Sequence, residues 1–268
     1  MYTPEPQLSH HPLTFAIVSG KGGVGKSITA VNLAEALARL EVPVALIDAD
    51  IGHCATPILM NETPEHVLLH YALDQVPLEE ALQRTLTGVT LLVSTQEPEL
   101  TGAHEAALYQ ALDTALHRLR QTHRVLLIDA PAGSHENVRW ALDRADAAII
   151  PLVDEPTAIA DAYRLVKQLW GLIPEYPIYA IVNFADTEAE AKSVITRFST
   201  ITEHFMGKTP EYLGWIPFSP EVRQSVTLQH PVGRKPGPVR NTFDQMAKSL
   251  LKACNRLQYA SRIPSIPN

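Results

Sequence analysis

Along the chain, short apolar runs alternate with longer stretches in which apolar residues recur every three to four positions. The first run, Leu13 to Ser19, predicts a strand. Lys26 to Leu40 predicts a helix, with Ile28, Val31, Leu33, Ala34, Leu37 and Leu40 facing inward. Further strands are predicted at Pro43 to Ile47, Val89 to Val93, Val125 to Ile128, Ala147 to Val153, Ile178 to Val182 and Tyr212 to Ile216. Helical periodicity marks Gly102 to Arg120, Asn137 to Arg144, Thr157 to Trp170 and Thr187 to Phe205, and two closing helices follow at Pro220 to Leu228 and Pro238 to Leu257. Val125 to Ile128 is apolar throughout and stops at Asp129, as suits a central strand buried on both faces. The alternation predicts an α/β fold, a mostly parallel central sheet with helices on both faces. Between Pro64 and Leu86 the pattern gives only short segments. Met1 to Pro12, with three prolines and no periodicity, reads as a flexible N-terminal extension, 13–257 as one domain, and 258–268 as a C-terminal tail.

Between the first strand and the first helix stand Gly20, Lys21, Gly22, Gly23, Val24, Gly25, Lys26 and Ser27. They fit the P-loop pattern G-x-x-x-x-G-K-[ST] in the strand, loop, helix setting that the motif needs. Glycines let the backbone wrap phosphate oxygens with its N–H groups inward, and the first helical turn, reaching Ile28, adds its positive dipole end. Lys26 is expected on the outer phosphates and Ser27 on a magnesium ion, so ATP and Mg2+ are the expected ligands; no residue excludes GTP. In an open parallel sheet the ligand lies beyond the carboxyl ends of the strands. Asp48 and Asp50 follow the second strand, and Asp129 to Gly133 follow the central one. Asp129 is read as a magnesium-holding acid. Asp50 is read as the residue that positions the attacking water, beside the same metal. Phosphoryl transfer asks for positioning and charge neutralisation, so no covalent nucleophile is needed.

Composition narrows the class. A chain of 268 residues, 46% hydrophobic, can bury one substantial core. It has no opening signal-type run and no uninterrupted apolar stretch of membrane-spanning length, which predicts a soluble, cytoplasmic protein. Cys54 and Cys254 form no C-x-x-C, which argues against iron–sulfur carriers. The net charge is −7, but from Pro220 onward eight basic residues face two acidic ones, a balance of +6 that leaves −13 on the remainder. A basic end of this kind suits nucleic acid or anionic lipid, but is more often just a solvated face.

Lys21, directly after Gly20, turns the loop into K-G-G-V-G-K-S, which resembles the deviant Walker A box of the MinD/ParA superfamily. The resemblance implies a homodimer when ATP is bound, in which Lys21 crosses the interface to the partner's phosphates and acts with Lys26 and Asp50 in a slow, partner-stimulated hydrolysis. The string from Asp48 to Gly52 resembles the family's first switch. Asp129-Ala130-Pro131-Ala132-Gly133 resembles its second, D-x-P-A-G, with the Gly133 N–H registering the γ-phosphate. Asn183, Pro217 and Phe218 resemble its adenine pocket. Glu155 to Lys167 is similar to the E-P-T-x-I-x-D-A-Y-x-x-I/V-K string of the FlhG (FleN, YlxH) branch, MinD-like ATPases that control flagellar number and placement. Ile216 to Val222 and Gln229 to Val232 are similar to that branch too, and the likeness runs from Phe15 to Leu251.

Three departures qualify it. Met1 to Pro12 lacks the D-Q-A-x-x-L-R peptide by which that branch stimulates the GTPase FlhF. His53 to Pro57 differs from the usual L-A-N-V-D. After Leu257 too little chain remains for a separate membrane-targeting helix. The expected partners are a second copy, a flagellar assembly factor or transcription regulator, and an anionic membrane surface met through the C-terminal helix. That helix carries an apolar stripe of Phe243, Met246, Ala247, Leu250, Leu251, Cys254 and Leu257, which equally suits a core-facing cover. The rival readings are a ParA-type partition ATPase on nonspecific DNA and a nucleotide-reading scaffold that scarcely hydrolyses.

Overall fold

The strands of the fold are β1 (Leu13–Ser19), β2 (Val44–Asp48), β3 (Leu82–Arg84), β4 (Thr90–Val93), β5 (Val125–Ala132), β6 (Ala147–Leu152), β7 (Ile178–Ala185) and β8 (Glu211–Pro217). The helices are α1 (Lys26–Arg39), α2 (Thr56–Met60), α3 (Leu68–Ala72), α4 (Leu78–Ala81), α5 (Gly102–Thr122), α6 (Glu136–Arg144), α7 (Pro156–Leu172), α8 (Glu188–Met206), α9 (Pro220–Thr227) and α10 (Pro238–Arg262). The computed structural model describes residues 12–51, 53–95, 97, 102–133 and 136–262. The N-terminal extension up to residue 11, Gly52 of the first switch string, and residues 263–268 therefore lie outside the described residues.

One eight-stranded sheet runs in the order β3-β4-β2-β5-β1-β6-β7-β8. Every pairing is parallel except that of β3 with β4. β1, β2 and β6 are buried at every position, which explains their nearly unbroken apolar sequences: helices cover both faces. α1 packs against α10, and α7 against α8. The α/β fold with a mostly parallel sheet is thus as expected.

Two strand boundaries differ from the periodicity. β5 continues through Asp129 to Ala132, because β2 pairs with it as far as Asp129 and β1 as far as Ala132: Asp129 stands opposite Ile17 on one side and Asp48 on the other. Asp129 is therefore inside the strand and in register with Asp48. β3, hidden in the Pro64 to Leu86 segment with α3 and α4, is a three-residue edge strand, too short and too polar to show a period. A short polar edge also discourages pairing with a foreign strand.

α10 carries five residues beyond Leu257. Its stripe faces the core: Phe243, Met246, Ala247, Leu250 and Cys254 are buried, with Leu251 and Leu257 half-buried. The core-facing alternative holds, and attached in this way the stripe is not available to a bilayer. No helix among the described residues is long and apolar enough to cross a membrane.

Candidate functional site

β1 delivers the glycine-rich loop to the carboxyl edge of the sheet between β5 and β6, where the strand order turns about β1. The loop is held from below. Val24 is buried in a small cluster with Val153 and Ala158, and its carbonyl accepts a 2.8 Å hydrogen bond from Nδ2 of Asn183. Two glycines leave no room for a side chain. A Cβ on Gly20 would stand 2.6 Å from the Asp161 carbonyl oxygen of α7. A Cβ on Gly25, whose φ is +89°, would stand 2.0 Å from Nδ2 of Asn183. Gly25 is also the N-cap of α1 and offers no capping side chain, so the helix start, with Lys26, Ser27 and Ile28, remains a donor site suited to an anion. Gly22 and Gly23 are exposed at the tip of the loop, Lys26 is buried, and Ser27 and Ile28 are half-buried.

The acids converge next to this helix start. Asp48 is fully buried; its Oδ2 accepts from the Thr56 N–H at 3.0 Å and the Thr56 hydroxyl at 2.8 Å, and its Oδ1 accepts from the Asp50 N–H at 3.2 Å. Burial pushes its carboxyl up to about 6 despite these bonds. Asp129 is held well above the usual carboxylate range, first by burial and then by the charge of Asp48, while Ser27 and Lys26 pull it down. Its Oδ1 is buried without a hydrogen-bond partner. Asp50 is half-buried, raised by burial and lowered by Lys26 and His53. Buried carboxylates with an unpartnered oxygen beside a serine hydroxyl are the hard oxygen donors that magnesium takes, so the residues fit this ion.

The departure from His53 to Pro57 has an internal use. Thr56 clamps Asp48, and the Cys54 thiol, pushed up to about 12 by burial, donates to the Thr95 carbonyl at 2.9 Å and so ties this segment to the end of β4. On the other side, the Gly133 N–H, expected to register a γ-phosphate, donates to the Ser19 carbonyl at 2.9 Å, with φ at +109°. It has to release Ser19 before it can meet a ligand.

Lys21 turns away from its own loop. Its Nζ lies 2.7 Å from Oε2 of Glu155 and 3.3 Å from the Thr157 hydroxyl, and its side chain is 41% exposed. The E-P-T string is thus a wall of the loop: Glu155 and Thr157 hold Lys21, and the Asp161 backbone presses on Gly20. Nothing in the sequence joins this string to Lys21, which stands 134 residues before Glu155. At the far end of the loop, Asn183 is buried, with Oδ1 accepting from the Phe184 N–H at 2.9 Å. Pro217 ends β8, and Phe218 stands exposed beside it, edge-on to Phe184 at 6.3 Å between centroids. Phe184 was not foreseen, though an aromatic residue directly after Asn183 was there to be noticed. A cavity of about 630 Å³ between α6 and α7 is lined by no loop residue and plays no part in this site.

The CobQ/CobB/MinD/ParA nucleotide-binding domain model matches residues 15–232. The chain belongs to this family. It is a MinD/ParA-family ATPase, 31% identical over 229 residues to the antiactivator FleN of Pseudomonas aeruginosa, a match covering 84% of this chain and 80% of that one. The fold is that of the Pyrococcus horikoshii septum site-determining protein MinD complexed with Mg-ADP, with a TM-score of 0.73 and 21% identity over 92% of this chain and 98% of that one. A chain of the Aquifex aeolicus MinC:MinD cell division protein complex gives 0.72 and 24%, covering 96% and 98%.

Proposed function

We propose that this ATPase is a dimerisation switch: two copies close face to face over bound ATP, each Lys21 leaves Glu155 for the partner's phosphates, and hydrolysis restores the monomer. The observation that carries the reading is the direction of Lys21. A lysine within a phosphate loop that points out of it, half-exposed and held by an exposed carboxylate, is free to serve another subunit at little cost. Bound magnesium would neutralise charge between the outer phosphate oxygens, and Ser27, Asp129 and Asp50 are the residues that would hold it. Lys26 would stabilise the charge on the transferred group. Asp50, with its carboxyl raised and its edge open, would orient the attacking water. Gly133 would exchange its bond to Ser19 for one to the γ-phosphate and so pull on α6. Asn183, Pro217 and Phe218 would border the base.

The biological reading is control of flagellar number or placement, supported by the FleN relative and by the E-P-T string. It makes the protein cytoplasmic. A contact with anionic lipid would then fall to exposed cations such as Lys248 and Lys252, since the apolar face of α10 is buried. A DNA-binding reading is weakened because Arg256 of the basic end pairs with Glu211, an acid outside that segment. The test is to count flagella per cell after deleting the gene and after restoring it with wild type or with Asp50→Ala. Altered numbers on deletion, restored by wild type and not by the variant, are expected; unchanged numbers throughout would contradict the flagellar role.

A further inference from the structure

We infer that Ser19 is a positioning residue that carries the state of Gly133 to Lys21, so that the lysine is offered to a second copy only when a triphosphate is bound. The inference rests on the reading of the protein as an ATP-dependent dimerisation switch.

Ser19 closes β1, is 2% exposed, and makes one bond toward each of two elements. Its carbonyl accepts from the Gly133 N–H at 2.9 Å, and its hydroxyl donates to the Lys21 carbonyl at 2.7 Å. The second switch and the phosphate loop therefore meet on a single buried side chain and its own peptide. The bond to Gly133 lies beyond a break in register. From Ile17 to Ser19 the first strand takes two steps, while β5 takes three, from Asp129 to Ala132. Pro131, inside that stretch, has no N–H to give to a ladder. A rung set apart in this way is exchanged without unzipping the regular pairing from Leu13 to Ile17.

The bond to Lys21 fixes a peptide plane. Because the peptide is planar, holding the Lys21 carbonyl also sets the plane it shares with Gly22. Gly22 and Gly23 beyond it have open space where a side chain would stand, so no packing holds the tip of the loop. Gly20, the one residue between, is pressed against the Asp161 carbonyl, and the loop cannot sink toward α7 there. When the Gly133 N–H leaves for a phosphate oxygen, the Ser19 carbonyl loses that donor, and the displacement of Ser19 passes through its hydroxyl to the Lys21 backbone. The Lys21 Nζ is then drawn off Glu155, an ion pair with both side chains well exposed, which is given up at little cost.

The test compares wild type, Ser19→Ala and Ser19→Thr. Sedimentation equilibrium with the magnesium complex of a β,γ-imido ATP analogue gives the dimer dissociation constant, and titration calorimetry gives the affinity for Mg-ADP. Ser19→Ala should weaken the dimer by about 10-fold, the worth of one good hydrogen bond, while its Mg-ADP affinity stays within about 3-fold of wild type. Ser19→Thr keeps the hydroxyl and should hold the dimer constant within about 3-fold of wild type, even though the extra methyl in a buried place lowers its melting temperature. A purely structural serine would give the opposite order, with dimer affinity following melting temperature. An unchanged dimer constant in Ser19→Ala would overturn the proposal. So would an equal loss of Mg-ADP affinity, or a Ser19→Thr dimer no tighter than that of Ser19→Ala. If wild type itself stayed monomeric with the analogue, the switch reading beneath the proposal would fail instead.

Discussion

Asp129 concentrates the electrostatic problem of the site in one side chain, a carboxyl in the middle of a sheet with Asp48 in register beside it and one oxygen without a partner. Such an arrangement favours the neutral form until a cation arrives. Asp129→Asn should therefore raise the stability of the ligand-free protein in urea unfolding, by on the order of 1 kcal/mol, while abolishing the stabilisation that magnesium and ATP confer. The sign of the pH dependence follows from Asp48. Its folded value, about 6, lies above the ordinary 3.8, so between these values the folded state binds more protons than the unfolded one. Stability contributed here falls as pH rises through that window and levels off above it, and the ligand-free protein should be more stable at pH 5 than at pH 7.5 by on the order of 1–3 kcal/mol. Asp113 works in the opposite sense but lower: Arg144 depresses it, and its contribution is lost only as pH falls below the usual carboxylate range. A bound cation reverses the upward shifts, so calorimetry in buffers of different ionisation enthalpy should show protons released when Mg-ATP binds at pH 6; no release would contradict this account of the acids. The positions of Lys26 and Ser27 were legible in the sequence because a fixed spacing placed them, and those of Asp50 and Asp129 because each follows an apolar run, although β5 continues through Asp129. Glu155 was not legible as the partner of Lys21, since 134 residues separate them and only the packing of α7 against the loop brings them together.

At the scale of elements, the buried strands announced themselves because a parallel strand covered on both faces is written as an apolar run. β3 did not, since an edge strand of three residues depends on its neighbour β4 and not on its own pattern. The stripe on α10 could be seen but its destination could not, as the same periodicity serves a core and a bilayer. With Phe243 and Leu250 fully buried, truncating either to Ala should cost about 3–5 kcal/mol in denaturant unfolding. Lys252→Glu on the exposed face should stay within about 0.5 kcal/mol of wild type. A helix that could be stripped of its apolar residues without loss would not be the cover described. Asn183 links two elements, the loop after β1 and the bulge in β7, through two hydrogen bonds. Asn183→Ala should lower stability by about 1–3 kcal/mol and weaken tripolyphosphate and nucleotide alike, because what it loses is the shape of the loop.

Across the whole molecule, the features of the site share one orientation. Loop, acids, Glu155 and the Phe184–Phe218 ring pair all lie at the carboxyl edge of one sheet, and the half-exposed Lys21 is on the same side. On the proposed reading, a second copy facing this surface completes it. Lys21 would then have phosphate oxygens in place of Glu155, and Gly133 would have an alternative to Ser19. The central claim is thus about mass, and sedimentation velocity with Mg-ATP or Mg-ADP tests it most directly. From the 29.5 kDa monomer, wild type should double its mass with ATP and not with ADP. Lys21→Ala should remain monomeric with either nucleotide, and Asp50→Ala should remain dimeric long after wild type has turned over its ATP. A 29.5 kDa species for all three proteins at saturating ATP would contradict the account.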